Sequence, residues 1–128
     1  MEISGIDHLV LTVKNIEETV EFYTSVLGME VEYFGSGRVA LKFGNQKINL
    51  HEIGHEFEPK AEAPTPGSAD ICFLIQDDIE EAIEFIMAKE IHIIEGPVER
   101  TGATSSLVSF YFRDPDNNLI ELSSLKKV

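Results

Sequence analysis

The chain has no tryptophan, a single cysteine and few cations: 10 Lys and Arg stand against 23 Asp and Glu over 128 residues, a net charge of -13. One thiol, Cys72, excludes an intrachain disulfide, and no N-terminal stretch joins a basic segment to an apolar run of secretory length, so a cytoplasmic setting is expected. The charge sets the protein's field against nucleic acid and anionic membrane, and neither is expected as a partner. No apolar run approaches the roughly 20 residues a membrane helix needs. Without staples, a chain of this length still removes about two thirds of its unfolded surface from water, so one compact domain is expected over 1–128.

What is present is a repeat. Ile6 to Val13 alternates as a strand, with Leu9, Leu11 and Val13 on one face and His8, Val10 and Thr12 on the other. Asn15 with Glu18 forms a capping-box pattern, and Ile16, Val20, Tyr23, Val26 and Leu27 recur at helical spacing until Gly28. Three strands are expected next, at Met29 to Phe34, Arg38 to Phe43 and Lys47 to Ile53. A Pro-bearing linker, 55–67, separates this first module, 1–54, from a second, 68–128.

The second module follows the same order. Asp70 to Ile75 reads as a strand, and Ile79-Glu80-Glu81-Ala82-Ile83-Glu84-Phe85-Ile86 copies the pattern of Ile16-Glu17-Glu18-Thr19-Val20-Glu21-Phe22-Tyr23. Ile91 to Ile94, Leu107 to Phe112 and Leu119 to Ser123 supply three more strands, with Arg100 to Thr104 expected in a loop and Asp114-Pro115-Asp116-Asn117 in a tight turn. The fold class is therefore α+β: two βαβββ modules, each helix sealing one face of its own strands and the pair forming a metal-binding groove. His8, His51, Glu121 and, by strand pattern, Asp70 lie on the unsealed faces, with Glu121 aligned to His51. Imidazole and carboxylate donors together suit Zn, Ni, Mn, Co or Fe.

Ile6-Asp7-His8-Leu9-Val10-Leu11-Thr12-Val13, Leu27-Gly28-Met29 and Arg113-Asp114-Pro115-Asp116-Asn117-Asn118-Leu119-Ile120-Glu121-Leu122 resemble the vicinal oxygen chelate superfamily of glyoxalases, bleomycin-binding proteins and extradiol dioxygenases. Asn49-Leu50-His51-Glu52, Phe57-Glu58-Pro59-Lys60 and Gly96 to Ala103 resemble its glyoxalase-domain proteins of the virulence-protein type. The resemblance implies a divalent metal, a small-molecule substrate chelated through two neighbouring oxygens, and a homodimer. His8 matches the first-strand ligand and Glu121 the last-strand glutamate, which is also the candidate base. His51 replaces a usual glutamate. The usual second histidine falls at Asp70 if the loop at Gln76-Asp77-Asp78 carries one extra residue; otherwise it falls at Ile71, leaving His8, His51 and Glu121. Arg100 is a candidate holder of an anionic substrate group, and Lys47 and Asn49 are candidate pocket residues. Cys72 reads as a small buried hydrophobe, and His55 and His92 as structural or solvent-facing. A glyoxalase-like lyase or isomerase leads. A metal-free binding protein and an Fe(II) extradiol dioxygenase are the alternatives.

Overall fold

The computed structural model describes residues 1–126. It forms two compact units, Met1–Ser68 and Ala69–Val128. Among the described residues no helix is long and apolar enough to cross a membrane.

In the first unit, β1 (His8–Val13) leads into α1 (Ile16–Ser25) and then β2 (Glu30–Phe34), β3 (Arg38–Phe43) and β4 (Gln46–Glu52). The sheet order is β1-β4-β3-β2, with β1 parallel to β4 and the other pairs antiparallel. The Asn15 side chain accepts from the Glu18 N–H at 3.0 Å, and the Glu52 carboxylate reaches back from β4 to the Ile16 N–H at 3.2 Å. Two of the unpaired donors of the helix start are thereby satisfied. Leu11, Val13, Leu41, Ile48 and Leu50 pack with the fully buried Tyr23 of α1. Alternation then sends His8, Val10, Thr12, Lys47, Asn49 and His51 to the opposite face.

The second unit repeats this plan with β5 (Asp70–Leu74), α2 (Ile79–Ala88), β6 (Glu95–Thr101), β7 (Ser106–Arg113) and β8 (Leu119–Leu125), in the sheet order β5-β8-β7-β6. Phe73, Phe110, Phe112, Ile120 and Leu122 are buried on one face, and Ile86 is the buried residue of α2. The Asp78 side chain caps α2 by accepting from the Glu81 N–H at 3.2 Å.

The strand expected at Ile91 to Ile94 lies one segment later. Residues 91–94 are unpaired until the Ile94 N–H meets the Tyr111 carbonyl at 2.8 Å, and the ladder itself runs through Glu95–Thr101. Pro97 is tolerated in this ladder because β6 is an edge, where a missing donor costs no ladder bond. A register shift between Glu95 and Val98 absorbs the irregularity. Gly96 sits in that shift at φ +123°, and a Cβ there would lie 2.5 Å from the Phe110 Cβ. Arg100 accordingly belongs to a strand rather than to the expected loop.

The turn before β8 is the most heavily bonded polar feature of this unit. Asp114 Oδ1 accepts from the N–H groups of Asp116 and Asn118, both at 2.9 Å, and its Oδ2 accepts from Asn118 Nδ2 at 2.9 Å. Asn118 Oδ1 in turn accepts from the Ala69 N–H at 2.9 Å, and the Leu119 N–H donates to the Ala69 carbonyl at 3.0 Å. The turn therefore ties the start of β5 to the start of β8 and sets the register that puts Cys72 opposite Glu121.

Candidate functional site

On the face of the second sheet that α2 leaves open, β8 presents Leu119, Glu121 and Ser123. Neighbouring β5 presents Asp70, Cys72 and Leu74, and β7 presents Leu107, Ser109 and Tyr111. Asp70 thus shares the face of Glu121, while Ile71 pairs with the buried Ile120 on the other. Glu121 is half-buried and held by its neighbours. Ser123 Oγ donates to Glu121 Oε2 at 3.2 Å. Having spent its proton there, Ser123 accepts from Ser109 Oγ at 2.6 Å and from Cys72 Sγ at 3.1 Å. Cys72 is exposed, a correction to the buried hydrophobe expected. Partial burial, with the Glu121 charge beside it, pushes its thiol up and keeps it protonated, so it serves as a donor and not a nucleophile.

Directly across from Glu121 stands Tyr111, whose phenol is raised by burial and by the Glu121 charge but pulled back by its hydrogen bond from Arg100. Arg100 Nε donates to the Tyr111 hydroxyl at 2.8 Å, Nη1 to the Glu99 carbonyl at 3.1 Å and Nη2 to Glu95 Oε2 at 3.0 Å. Arg100 was expected to hold an anionic substrate group; in the structure each of its three nitrogens makes one hydrogen bond within the protein, which uses three of its five N–H donors. A pocket of about 370 Å³ opens beside these groups. Glu121 and Cys72 lie at one end, Leu74, Leu107 and Leu125 on its walls, and the 101–105 loop at its rim.

The first unit arranges its candidates differently from the sequence reading. In the β1/β4 register His8 lies opposite Lys47, and Thr12 lies opposite His51. His8 and His51 share a face but stand four positions apart, about 13 Å along the strands. One ion does not bridge that distance between side chains that leave the sheet in parallel. His51 is instead buried, edge-on to Phe57 at 5.6 Å, and Phe57 carries the Arg38 guanidinium over its ring at 4.5 Å. Burial first, and Arg38 second, hold the His51 imidazole below its ordinary value. Lys47, whose Nζ lies 3.8 Å from Glu32 and 4.1 Å from the Phe34 ring centroid, is likewise committed locally.

The ladders also correct the internal alignment. His8 opposite Lys47 corresponds to Asp70 opposite Leu119, and the helix caps, Asn15 and Asp78, agree to within one residue in the intervening loops. Two positions along, the counterpart of Glu121 is therefore Asn49, not His51. Asn49 Oδ1 is buried with no hydrogen-bond partner. The two modules present the same diagonal of donors: His8 with Asn49, and Asp70 with Glu121. Diagonal neighbours on adjacent strands lie about 7–8 Å apart, within reach of a common ligand.

Among the described residues, no three His, Cys, Asp or Glu side chains are gathered closely enough to hold an ion as they stand. The donor chemistry of the diagonals nevertheless suits a divalent first-row metal, being imidazole nitrogen with carboxylate and amide oxygen. Asp7 Oδ2 accepts from His8 Nδ1 at 2.8 Å, leaving Nε2 as the coordinating nitrogen. His51 does not fit such a group.

Tyr111, Ser109, Ser123 and Cys72 were missed as companions of Glu121. Their signal was available in the alternation of β7 and β8, where Ser109, Tyr111, Glu121 and Ser123 fall on one parity.

Comparison with known proteins agrees with this architecture. A family model described as Glyoxalase/Bleomycin resistance protein/Dioxygenase superfamily matches residues 5–122. The virulence protein STM3117 of Salmonella typhimurium is 56% identical over 123 residues, covering 96% of this chain and 85% of that protein. Its crystal structure superposes with a TM-score of 0.97, covering 98% of this chain and 100% of that one. Glyoxalase domain-containing protein RDO1 of Mycosarcoma maydis is 55% identical over 124 residues, covering 97% of this chain and 70% of that protein. A fosfomycin resistance protein, FosX of Listeria monocytogenes, solved with Mn(II) and a dihydroxypropylphosphonic acid, is 28% identical at a TM-score of 0.65, covering 95% of this chain and 90% of that one. The chain belongs to the glyoxalase/bleomycin resistance protein/dioxygenase superfamily.

Proposed function

We propose that the protein is a divalent-metal-dependent enzyme of the glyoxalase type, a lyase or isomerase acting on a small substrate with two neighbouring oxygens. The observation that carries this reading is Glu121, a half-buried carboxylate held by Ser123, opposite Tyr111 and lining a pocket. A structural carboxylate needs no such pocket, whereas a base does. Asp70 and Glu121 are the proposed ligands of the second unit, and in the first His8 with Asn49 Oδ1, an acceptor awaiting a substrate or ligand donor, is the corresponding pair. When bound, the metal supplies Lewis acidity toward the two oxygens. The chain's own contribution is to keep Glu121 oriented through Ser123 and to line the approach with leucines. Glu121 then takes the proton from one carbon and returns it to the next.

The test is metal content after dialysis, separately, against Zn, Ni, Mn, Co and Fe(II). Stoichiometric retention of at least one ion, reduced in Glu121→Gln or in His8→Ala, is expected. Retention of none overturns the reading. A second reading, a small-molecule-binding protein that needs no metal, is favoured by the fact that residues of the second unit alone line the pocket. It expects His8→Ala to leave ligand affinity intact. The extradiol dioxygenase alternative calls for two imidazoles with one carboxylate, and the separation of His8 from His51 removes one of them from any shared ion.

A further inference from the structure

The pocket beside Glu121 has walls whose chemistry selects by charge, and this deepens the proposed function by naming the substrate class, resting on Glu121 as its reacting end. Neither Lys nor Arg is among the described residues that line it. The nearest strand cation, Arg100, gives each of its three nitrogens to Tyr111, Glu99 or Glu95. At one end stands Glu121, with Cys72 opposite it and Asp70 on the same face two positions along β5. Those two carboxylates also match the charge of a divalent ion, so loading a metal leaves that end without net positive charge. The walls away from Glu121 are Leu74 and Leu125, 66% and 57% exposed, and the buried Leu107. Thr104 and Ser105 add neutral hydroxyls at the rim. Exposed leucines on one sheet face, meeting at a pocket, are apolar surface that a ligand can cover.

We propose that this pocket takes an uncharged substrate with two neighbouring oxygens at the Glu121 end and an aliphatic or aromatic arm against Leu74, Leu107 and Leu125, and that it rejects anionic compounds of the same core. A carboxylate or phosphonate on the arm would enter a site with no cation among its described lining residues and a carboxylate already in place. The volume, about 370 Å³, lies at the small end of the range for ligand pockets, which suits a single ring or a short branched chain.

Three compounds sharing one dihydroxy ring test this: catechol, 4-tert-butylcatechol and 3,4-dihydroxybenzoate. Binding is measured by calorimetry to the full-length protein, both metal-free and loaded, with metal content determined on the same samples. The expected result is that 4-tert-butylcatechol binds at least tenfold more tightly than 3,4-dihydroxybenzoate and more tightly than catechol. Leu74→Lys, at an exposed wall position, is expected to narrow or invert the first ratio by supplying the missing cation. Equal or tighter binding of the benzoate, an unchanged ratio in Leu74→Lys, or failure of 4-tert-butylcatechol to bind overturns the proposal. If metal is retained while the ratio fails, the substrate class falls and the metal-enzyme reading stands. If the ratio holds in protein that retains no metal, the reverse follows.

Discussion

Replacing Asp114 tests whether the turn before β8 sets the register on which the site depends. Asp114→Ala leaves three donors, the N–H groups of Asp116 and Asn118 and the Asn118 Nδ2, without the carboxylate they share. Asp114 is 5% exposed and Asn118 1%, so water does not readily take its place. Each buried donor left unpaired costs about 1–3 kcal/mol. Their sum is tempered by local relaxation, so a loss of about 4 kcal/mol is expected, at the upper end for a single substitution. With a urea dependence of about 2 kcal/mol per molar, the unfolding midpoint should fall by roughly 2 M. Asp114→Asn separates the terms. Its amide oxygen still serves the two backbone N–H groups, but its NH₂ replaces Oδ2 opposite the Asn118 NH₂. Asn118 cannot turn over to relieve this without giving up the Ala69 N–H bond. A loss of about 1–3 kcal/mol is expected for that one conflict. A midpoint shift below roughly 0.5 M for Asp114→Ala, or an Asp114→Asn variant as damaged as the alanine, would refute the reasoning.

Three further outcomes follow from the same geometry. The His51 imidazole is held below its ordinary 6.5, so its share of stability is present above that pH and is lost as pH falls through the folded value; melting temperature should drop between pH 7.5 and 5.5, and His51→Gln should flatten the drop, whereas an equal drop in the variant would count against it. Gly96→Ala places a methyl group against the Phe110 backbone at a positive φ and should cost about 2–3 kcal/mol in denaturant unfolding, while an unchanged midpoint would mean that the β6 bulge is mobile. Arg100→Met removes the donor that pulls the Tyr111 phenol down against burial, so its absorbance titration should move to higher pH, and movement to lower pH would contradict the Arg100 to Tyr111 bond.

Much of the scaffold was legible because it rests on short-range rules. The Asn15 cap, the helical spacing of both helices and the alternation of β1, β4, β5 and β8 are local, although α1 ends at Ser25, short of the Gly28 stop expected. The face of Asp70 was readable for the same reason. What was not legible is register between strands far apart in sequence. Whether His8 stands opposite Lys47 or opposite His51 is decided by the turns and the core of the whole unit, and a slip of a few residues leaves the alternation unchanged. That is why the pairing of Glu121 with His51 was in error by two positions, and why Arg100 was placed in a loop. Pro97 and Gly96 look like breakers unless one knows that β6 is an edge.

The corrected alignment gives the duplication a chemical meaning. Two copies of one βαβββ plan place donors at the same pair of positions, and the copies have diverged there: imidazole and amide in the first, two carboxylates in the second. An amide cannot act as a base near neutral pH, whereas a carboxylate can, so in the proposed reaction proton transfer falls to Glu121 and Asn49 is left to bind. The surroundings have diverged in the same sense. Glu121 has Ser123, Tyr111 and a pocket beside it, while Asn49 Oδ1 is buried with its acceptor unused. An unused buried acceptor costs about 1–3 kcal/mol in the free protein, a cost that a bound donor or ion would relieve. Asn49→Leu should therefore leave the free protein as stable or more stable while weakening whatever binds at His8, seen as a raised melting temperature together with reduced retention of the metal. If Asn49→Leu destabilises the free protein by 1 kcal/mol or more on the same scale, the amide has a structural partner and the assignment of Asn49 to binding fails.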